Sequence, residues 1–298
     1  MAASAAAPRV ESPIFVIGCG RSGTTVVFHA LAEHPSLAWI SNWSNRFGDA
    51  AFWLRLAKLR HAPAVRALGQ RGWRPRPVEA YRPWTDCFDG FNRPVRDLDA
   101  RDCSDESRAR MQALVARHLA VQGKPRFAAK YTGWSRIGFM DRAFPDARYV
   151  HVIRDGRAVA ASLLQVGFWE GWRGPSQWRW GPLSREHDEL WRASDSSFAV
   201  LAGIQWKLLL ENIRGTGAKI GDRYRELRYE TFVADPLAAL ADLREWSGLE
   251  ADSRHAQRIA DLGVHPVGEK WRESLSAEDR SRLESALAPS LEALGYPL

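Results

Sequence analysis

Short apolar runs alternate with amphipathic segments along most of this chain, and the alternation predicts its strands and helices. The clearest run is Ile14–Ile17, which stops at a glycine-rich turn and passes directly into helix-compatible sequence. Similar runs predict further strands at 37–40, 127–130, 149–153 and 225–229. Apolar spacing and capping residues predict helices at 24–33, 105–121, 136–144, 155–164, 196–214, 236–246 and 276–294.

The order of these elements predicts the fold class. Strands separated by helices favour an open, mainly parallel sheet flanked by helices, a three-layer α/β/α arrangement. A ligand of such a sheet lies at the carboxyl ends of the strands. Two stretches, about 60–105 and 167–193, are rich in Pro, Arg, Gly or Trp and have weak periodicity. They predict two irregular insertions on this core.

Length and composition predict a soluble globular protein. With 298 residues the chain is near the upper limit for one hydrophobic core, so we expect one domain over 13–298 behind a flexible tail at 1–12. Apolar residues make up 45% of the chain and charged residues 26%, which is ordinary for a soluble protein. No apolar stretch approaches the roughly 20 residues that span a bilayer, and the first ten residues lack a signal-peptide pattern. We therefore expect a cytoplasmic protein without a membrane span.

Charge and cysteine content narrow the classes of ligand. The formal net charge is +7, and of 42 cationic residues only six are Lys. The arginines are scattered rather than clustered, which favours a small polyanionic ligand over a nucleic acid. Cys19, Cys87 and Cys103 show no CxxC or Cys/His spacing, so neither a disulfide framework nor a metal site is predicted.

The turn after the first strand is a candidate anion-binding loop. Residues 18–25 read Gly-Cys-Gly-Arg-Ser-Gly-Thr-Thr, the spacing of a P-loop except that Thr24 stands where a nucleotide-triphosphate P-loop has Lys. The glycines let backbone N–H groups approach an oxyanion, and Arg21, Ser22 and Thr25 add donors. An ordinary strand-turn-helix connection is the alternative. The strand, the spacing and the Arg together favour an anion site for something other than ATP in its usual pose.

A second strand-helix junction repeats this arrangement. Arg154 follows the predicted buried strand at 149–153, and Ser162 lies eight residues later, about two turns along the next helix. Both side chains could meet one oxyanion. The alternative is a surface ion pair of Arg154 with Asp155 or Asp146. Two anion sites at two strand ends predict a ligand with two separated phosphates.

Together the two motifs resemble those of the sulfotransferases that use 3′-phosphoadenylyl sulfate (PAPS), closest to the tyrosylprotein and bacterial branch. The resemblance covers about residue 13 to the C-terminus and implies a P-loop-type fold and EC 2.8.2 activity. It also implies that the enzyme needs no metal and that its acceptor is a small molecule, a carbohydrate or a peptide. The lean toward Ala and Arg favours a bacterial source.

The resemblance also assigns roles to individual residues. It implies that Lys130, at the end of a strand, neutralises the bridging oxygen released during transfer. Trp271 has a second interpretation, as a core residue that fixes the last helix. The resemblance places the 5′-phosphosulfate against the loop residues Gly20, Arg21, Ser22, Gly23, Thr24 and Thr25, the 3′-phosphate against Arg154 and Ser162, and the nucleotide beside Tyr229, Lys270 and Trp271.

The acceptor's general base is not where this resemblance would put it. Asn42 and Thr132 occupy the two positions at which members of the family carry a Glu or a His, and neither residue is a base at neutral pH. Asp49 is the predicted base because it follows the second strand, beside the expected acceptor. The other candidates are Glu170, His187 and Asp188, and an acceptor that needs no base is also open.

Two further questions stay open at the level of sequence. The Trp-rich stretch 168–191 fits both an acceptor wall and an insertion fixed to the body by its rings. The activity has three alternatives to sulfuryl transfer: a nucleotide kinase with a modified P-loop, a PAPS-binding homologue without catalysis, and a nucleic-acid binder.

Overall fold

A five-stranded parallel sheet forms the centre of the computed structural model, which describes residues 10–48, 50–62, 65, 74–265, 268 and 270–298. The strands lie in the order β2-β3-β1-β4-β5, and every pairing between them is parallel. The predicted fold class is therefore confirmed. The strands are β1 (Ile14–Ile17), β2 (Leu37–Ala38), β3 (Arg126–Lys130), β4 (Arg148–Ile153) and β5 (Tyr224–Arg228).

Helices cover both faces of this sheet and its carboxyl edge. In chain order they are α1 (Thr24–Ala32), α2 (Asn42–Phe47), α3 (Ala51–Leu56), α4 (Tyr81–Cys87), α5 (Asp105–Gln122), α6 (Ile137–Ala143), α7 (Gly156–Leu164), α8 (Arg185–Ala193), α9 (Phe198–Gly217), α10 (Tyr229–Ala234), α11 (Pro236–Ser247), α12 (Ser253–Ala260), α13 (Trp271–Ser274) and α14 (Ala277–Ala293).

The central strand β1 is buried on both sides. Phe15 packs with the cluster under α5, whereas its neighbour Val16 packs with the cluster under α1 and α11. Successive strand residues point to opposite faces, so a run that is apolar throughout has to be covered twice. This is why β1 reads as four apolar residues in succession rather than as an alternating pattern.

A third cluster supports the carboxyl edge of the sheet, where β4 ends. Helices α7, α9 and α14 pack together there around residues such as Val159, Leu201 and Leu287. Trp169, Trp178 and Trp180 of the 167–193 stretch belong to the same cluster and are nearly buried. The stretch is therefore packed onto the body of the protein through its rings.

The two predicted insertions contain more regular structure than their composition suggests. The stretch 60–105 includes α4, and the stretch 167–193 includes all of α8, which Ser184 caps through the amide of His187. Pro77 pairs with Ser41 in an isolated antiparallel bridge that returns the chain to the β2 edge. The predicted strand at 225–229 ends at Arg228, because Tyr229 already begins α10.

None of the helices in the described ranges combines the length and the apolar character that crossing a membrane requires.

Candidate active site

A cavity of about 770 Å³ opens at the carboxyl ends of β1, β3, β4 and β5. One half is lined by the loop between β1 and α1, by Arg154 and by Tyr229, and the other half by residues that follow β3 and by the Trp-rich stretch. This is the position that the strand order predicts for a ligand. Of the residues singled out from the sequence, Gly20, Arg21, Gly23, Thr24, Thr25, Lys130, Arg154, Glu170 and Tyr229 line it.

The loop between β1 and α1 has the backbone geometry of an anion site. Gly23 is the N-cap of α1 with a φ of 89°, and no side chain caps this helix end. The amides of Thr24 and Thr25, two residues of the cavity wall, therefore have no acceptor within the helix, and an oxyanion could accept from them. A Cβ on Gly23 would stand 2.1 Å from the Tyr229 ring. Glycine is required here both by conformation and by space.

The two predicted anion-binding motifs touch each other. Arg21 Nε donates to Ser162 Oγ over 2.9 Å, which links the first loop to α7. Arg154 Nη1 donates to the Arg21 carbonyl oxygen over 3.1 Å. Asp155 and Asp146, the alternative partners of Arg154, bond Arg157 and Ser12 instead. The Arg154 charge is thus directed to the cavity rather than cancelled at the surface.

Tyr229 holds Arg154 in place at the β4 end. The Arg154 guanidinium carbon lies 4.7 Å from the centroid of the Tyr229 ring, and this ring also covers Gly23. A cation over an aromatic face is attracted by the ring quadrupole. The residue reaches this position because α10 begins immediately after β5.

Lys130 is nearly buried at the end of β3 and pairs with a carboxylate that the sequence analysis did not identify. Its Nζ donates to Glu79 Oε2 over 2.5 Å. Glu79 follows the bridge between Pro77 and Ser41, and it also lines the cavity. Glu79 is therefore a carboxylate of the cavity, next to the Lys that the family resemblance marks as catalytic.

Two more donors complete this group, here called the Glu79 cluster: Glu79, Lys130, Thr132 and Tyr81. Thr132 Oγ1 donates to Glu79 Oε1 over 2.6 Å, and the Tyr81 hydroxyl donates to the same oxygen over 2.5 Å. Burial by itself raises the pKa of Glu79, but the charge and hydrogen bond of Lys130, with the bonds from Thr132 and Tyr81, lower this pKa below its ordinary value. Glu79 is thus a carboxylate at neutral pH.

His29 is a second residue of the cavity that the sequence analysis missed. Its Nε2 lies 2.9 Å from the Pro77 carbonyl oxygen, which fixes the ring on the inner face of α1. Burial lowers the pKa of His29 to about 4, and the nearby charges of Arg60 and Lys130 act in the same direction. The hydrogen bond to Pro77 opposes this shift only in part. The ring is therefore neutral at physiological pH. From the sequence, His29 could have been suspected of lining the site because it lies in the helix that follows the anion loop.

The remaining candidate bases lie in different places. Glu170 is in the cavity, where it pairs with Arg93 over 3.1 Å. His187 is on α8 and lies 3.5 Å from Glu211, and Asp188 pairs with Arg192 on the same helix. Neither α8 residue lines the cavity. Asp49, the base predicted from the sequence, lies outside the described residues.

Four of the predicted nucleotide-binding residues are not part of the cavity wall: Ser22, Ser162, Lys270 and Trp271. Ser162 accepts from Arg21 instead of lining the cavity beside Arg154. Ser22 is almost fully buried beneath the loop, where its amide donates to the Cys19 carbonyl oxygen over 3.2 Å. Trp271 packs against Ala158 and Ala161 of α7, with the Arg157 guanidinium 4.9 Å from its ring. This is the second interpretation of Trp271, a core residue that positions the last helices. Lys270 immediately precedes it and is exposed.

No group of three or more His, Cys, Asp or Glu side chains suited to a metal ion occurs within the part of the chain that the structure describes.

The fold and site define a parallel α/β protein with an anion-binding loop at the carboxyl edge of its sheet. A family model described as "Sulfotransferase family" matches residues 13–253 of this chain. The chain therefore belongs to the sulfotransferase family, whose reaction is the transfer of a sulfuryl group.

Solved structures with the same fold include bacterial sulfotransferases. Sulfotransferase STF9 from Mycobacterium avium is 20% identical with a TM-score of 0.63, and the match covers 97% of this chain and 78% of that one. Sulfotransferase STF1 from Mycobacterium tuberculosis H37Rv is 17% identical with a TM-score of 0.50, over 93% and 77% of the two chains. At these identities the likeness shows the fold alone.

One curated relative is similar over a shorter region. Mouse carbohydrate sulfotransferase 7 is 34% identical over 101 residues, which are 28% of this chain and 21% of the mouse protein. The match thus spans about a fifth of the length of that relative.

Proposed function

We propose that the protein transfers the sulfuryl group of PAPS to a hydroxyl or amine of an acceptor and releases adenosine 3′,5′-bisphosphate. The observation that carries the proposal is the contact between Arg21, Ser162 and Arg154, which unites the loop after β1 with the end of β4. A ligand that touches both places needs two separated anionic groups, as PAPS has. Adenosine triphosphate has its phosphates in one continuous chain and suits the loop alone.

The missing P-loop lysine supports the same donor. The sulfuryl group carries less charge than a terminal phosphoryl group and needs no metal clamp of the kind that phosphoryl transfer uses. Thr24 in place of Lys, together with Arg21 and the uncapped N-terminus of α1, supplies donors for one anionic group. In this proposal Gly20, Gly23 and Thr25 complete that cradle, and Tyr229 holds Arg154 against the 3′-phosphate.

Lys130 and Glu79 would share the proton and charge changes of the reaction. The acceptor oxygen or nitrogen forms a bond to sulfur while the bond from sulfur to the bridging oxygen breaks, so negative charge grows on that oxygen and the acceptor loses a proton. We assign the charge to Lys130 and the proton to Glu79 Oε2. When Lys130 Nζ turns to the bridging oxygen, Glu79 loses its strongest donor and becomes more basic.

Glu79 replaces Asp49 as our candidate base. It is ionised, lies in the cavity and is adjacent to Lys130, whereas Asp49 has no described position. Glu170 is the second candidate, and its partner Arg93 has no role in this proposal that would draw it away from the carboxylate, as Lys130 is drawn away from Glu79. A positioned carboxylate that accepts the acceptor proton typically contributes a rate factor of about 10² to 10⁴.

The compartment, the source and the domain organisation of the enzyme are part of the proposal as well. We place the enzyme in the reducing cytoplasm of a bacterium, acting as one domain over 13–298 without a metal ion. Support for the compartment comes from Cys19, Cys87 and Cys103, which are all buried and free of disulfides.

The proposal is tested by ligand binding and by turnover. We expect adenosine 3′,5′-bisphosphate to raise the melting temperature of the purified protein and Mg-ATP to leave it unchanged, because a ligand that binds only the folded state stabilises it. Incubation with PAPS and a panel of phenols, sugars and amines should release adenosine 3′,5′-bisphosphate and form a sulfated product. Arg21→Ala should abolish most of this sulfuryl transfer.

Two results would contradict the proposal in different ways. Stabilisation by Mg-ATP alone would indicate a phosphotransferase with an altered loop. Binding of PAPS without release of product from any acceptor in the panel would indicate a homologue that binds the nucleotide without catalysis.

A further inference from the structure

Arg179 is a cation of the cavity wall that has no hydrogen-bond or ion-pair partner among the described residues. It lies in the Trp-rich stretch, and its guanidinium carbon is 4.3 Å from the centroid of the Trp180 ring. Its Nε is buried without a hydrogen-bond partner. Among the described residues no carboxylate lies within ion-pair distance of it. This differs from Arg93 in the same wall, whose charge is paired with Glu170.

The surroundings of Arg179 make this unpaired charge costly. Burial lowers the pKa of Arg179, and the neighbouring charges of Arg136 and Arg93 lower it further, while Tyr81 and Glu170 act in the opposite direction. A partly buried guanidinium without acceptors loses hydration that nothing in the protein replaces. An anionic group in the cavity would restore the lost interactions, since a guanidinium presents a fork of donors to carboxylate, sulfate or phosphate oxygens.

Arg179 lies on the β3 side of the cavity. The proposed donor contacts are at the ends of β1 and β4, whereas Arg179 lies against the turn after β3, with Nη2 3.6 Å from where a Cβ on Gly133 would stand. That turn continues from Lys130 and Thr132, and the Gly133 amide donates to the Gly18 carbonyl oxygen over 3.1 Å. Arg179 is therefore near both the Glu79 cluster and the start of the loop after β1.

The cavity wall beside Arg179 consists of fixed aromatic rings. Trp180 packs edge-on against Trp134 with ring centroids 6.1 Å apart, and Trp169 Nε1 donates to Gln205 over 2.9 Å. Both Trp169 and Trp180 line the cavity. Rigid ring faces next to a cation suit a planar or sugar ring that carries a negative group.

We propose that Arg179 binds an anionic group of the acceptor, so that the substrate class is a hydroxyl compound bearing a carboxylate, sulfate or phosphate on or near its ring. This inference rests on the proposed sulfuryl transfer. The same chemistry could come from the sulfonate of the donor, and the experiment below separates the two sources.

The test uses dead-end complexes, which need no turnover. The protein is saturated with adenosine 3′,5′-bisphosphate and titrated by calorimetry with matched pairs: 4-hydroxyphenylacetate against its methyl ester, and phenyl β-glucuronide against phenyl β-glucoside. We expect the carboxylate member of at least one pair to bind at least tenfold more tightly. Arg179→Gln should remove this preference, and Arg179→Lys should restore part of it because the charge returns without the fork of donors.

The controls keep folding and donor binding separate from acceptor binding. Arg173→Gln, an exposed change in the same stretch, should behave as the wild type. Arg179→Gln should bind adenosine 3′,5′-bisphosphate with unchanged affinity, which also shows that the variant is folded.

Three results overturn this inference. One is equal or undetectable binding of the charged and neutral members of both pairs by the wild type. Another is an unchanged preference in Arg179→Gln. The third is a selective loss of affinity for PAPS relative to adenosine 3′,5′-bisphosphate in that variant, which would assign Arg179 to the donor sulfonate. Failure of the wild type to bind adenosine 3′,5′-bisphosphate would instead contradict the proposed function itself.

Discussion

Lys130 and Glu79 lie 51 residues apart in the chain and form an ion pair with 2.5 Å between Nζ and Oε2. The pair is held from the other side by Thr132 and Tyr81, which both donate to Glu79 Oε1. Thr132, at the position where members of this family can carry a His, therefore donates a hydrogen bond to the carboxylate that we propose as the base. The cluster joins the residue proposed to stabilise the leaving group to the residue proposed to take the acceptor proton.

Removal of the Glu79 charge should abolish most of the activity. Glu79→Gln keeps the size of the side chain but cannot accept a proton at neutral pH, so we expect kcat/KM to fall by about 10² to 10⁴. Calorimetry should show unchanged or tighter binding of adenosine 3′,5′-bisphosphate, because Lys130 loses its internal counter-ion. Glu189→Gln, the same change on an exposed residue of α8, is the control. Activity of Glu79→Gln within threefold of wild type would exclude Glu79 as the base.

Replacement of Arg154 should weaken the binding of the 3′-phosphate and leave the binding of the 5′-phosphate unchanged. Arg154→Gln removes a charged donor that faces the cavity beside Tyr229, and hydrogen bonds to charged groups are worth about 1.5 to 3 kcal/mol. We expect the affinity for adenosine 3′,5′-bisphosphate to fall about 10- to 100-fold. Affinity for adenosine 5′-phosphate, measured in the same calorimetric series, should not change. An equal loss of affinity for both ligands would contradict the assignment of Arg154 to the 3′-phosphate.

Substitution of Gly23 should destabilise the whole loop. Gly23→Ala places a Cβ 2.1 Å from the Tyr229 ring at a φ of 89°, a conformation that costs other residues about 1 to 3 kcal/mol before the collision is counted. We expect the free energy of unfolding to fall by at least that amount in urea titrations. Gly20→Ala is the matched control, since a Cβ there meets nothing within 4 Å and its unfolding free energy should stay near that of the wild type.

Low pH should reduce the free energy of unfolding, and part of this effect should come from Glu33. Burial raises the pKa of Glu33, but the hydrogen bond from His61 and the charge and hydrogen bond of Arg60 outweigh this and lower the pKa to about 2. A carboxyl group whose pKa is depressed on folding stabilises the folded state above its unfolded pKa, and this contribution is lost as the pH falls from about 4.5 toward 2. The full contribution is about 2 to 3 kcal/mol.

The measurement compares wild type with Glu33→Gln in urea titrations between pH 6 and pH 3. The difference in unfolding free energy between the two proteins should shrink as the pH falls, because Glu33 takes up a proton near pH 4.5 in the unfolded wild type but stays ionised in the folded protein until about pH 2. A difference that stays constant over this range would show that Glu33 keeps an ordinary pKa in the folded protein.

The predictions from sequence were most accurate where structure depends on neighbours in the chain. The strand at Ile14–Ile17, the glycine-rich turn and the helix from Thr24 follow each other within 20 residues, and local apolar character and glycine conformation determine all three. Arg154 was placed at a strand end for the same reason. The structure brings it into contact with Arg21, which the prediction of a shared ligand required.

Predictions were less complete where position depends on long-range packing. Glu79 lies in a Pro- and Arg-rich stretch without periodicity, and it reaches Lys130 only because Pro77 pairs with Ser41 at the sheet edge. Trp271 had two interpretations with equal support, and the small residues Ala158 and Ala161 on α7 provide the surface on which it packs. Neither relation has a signal in the adjacent residues.

The sequence by itself determined the sheet, the anion loop and the second cationic strand end, and with them the family and the kind of donor that we propose. Those features follow from apolar runs that must be buried and from glycines and arginines at strand ends. The tertiary structure alone decided which carboxylate pairs with Lys130 and which cavity Arg has no hydrogen-bond or ion-pair partner among the described residues. The physical reason is that both depend on how the stretches 60–105 and 167–193 pack onto the sheet, and that packing joins residues far apart in the chain.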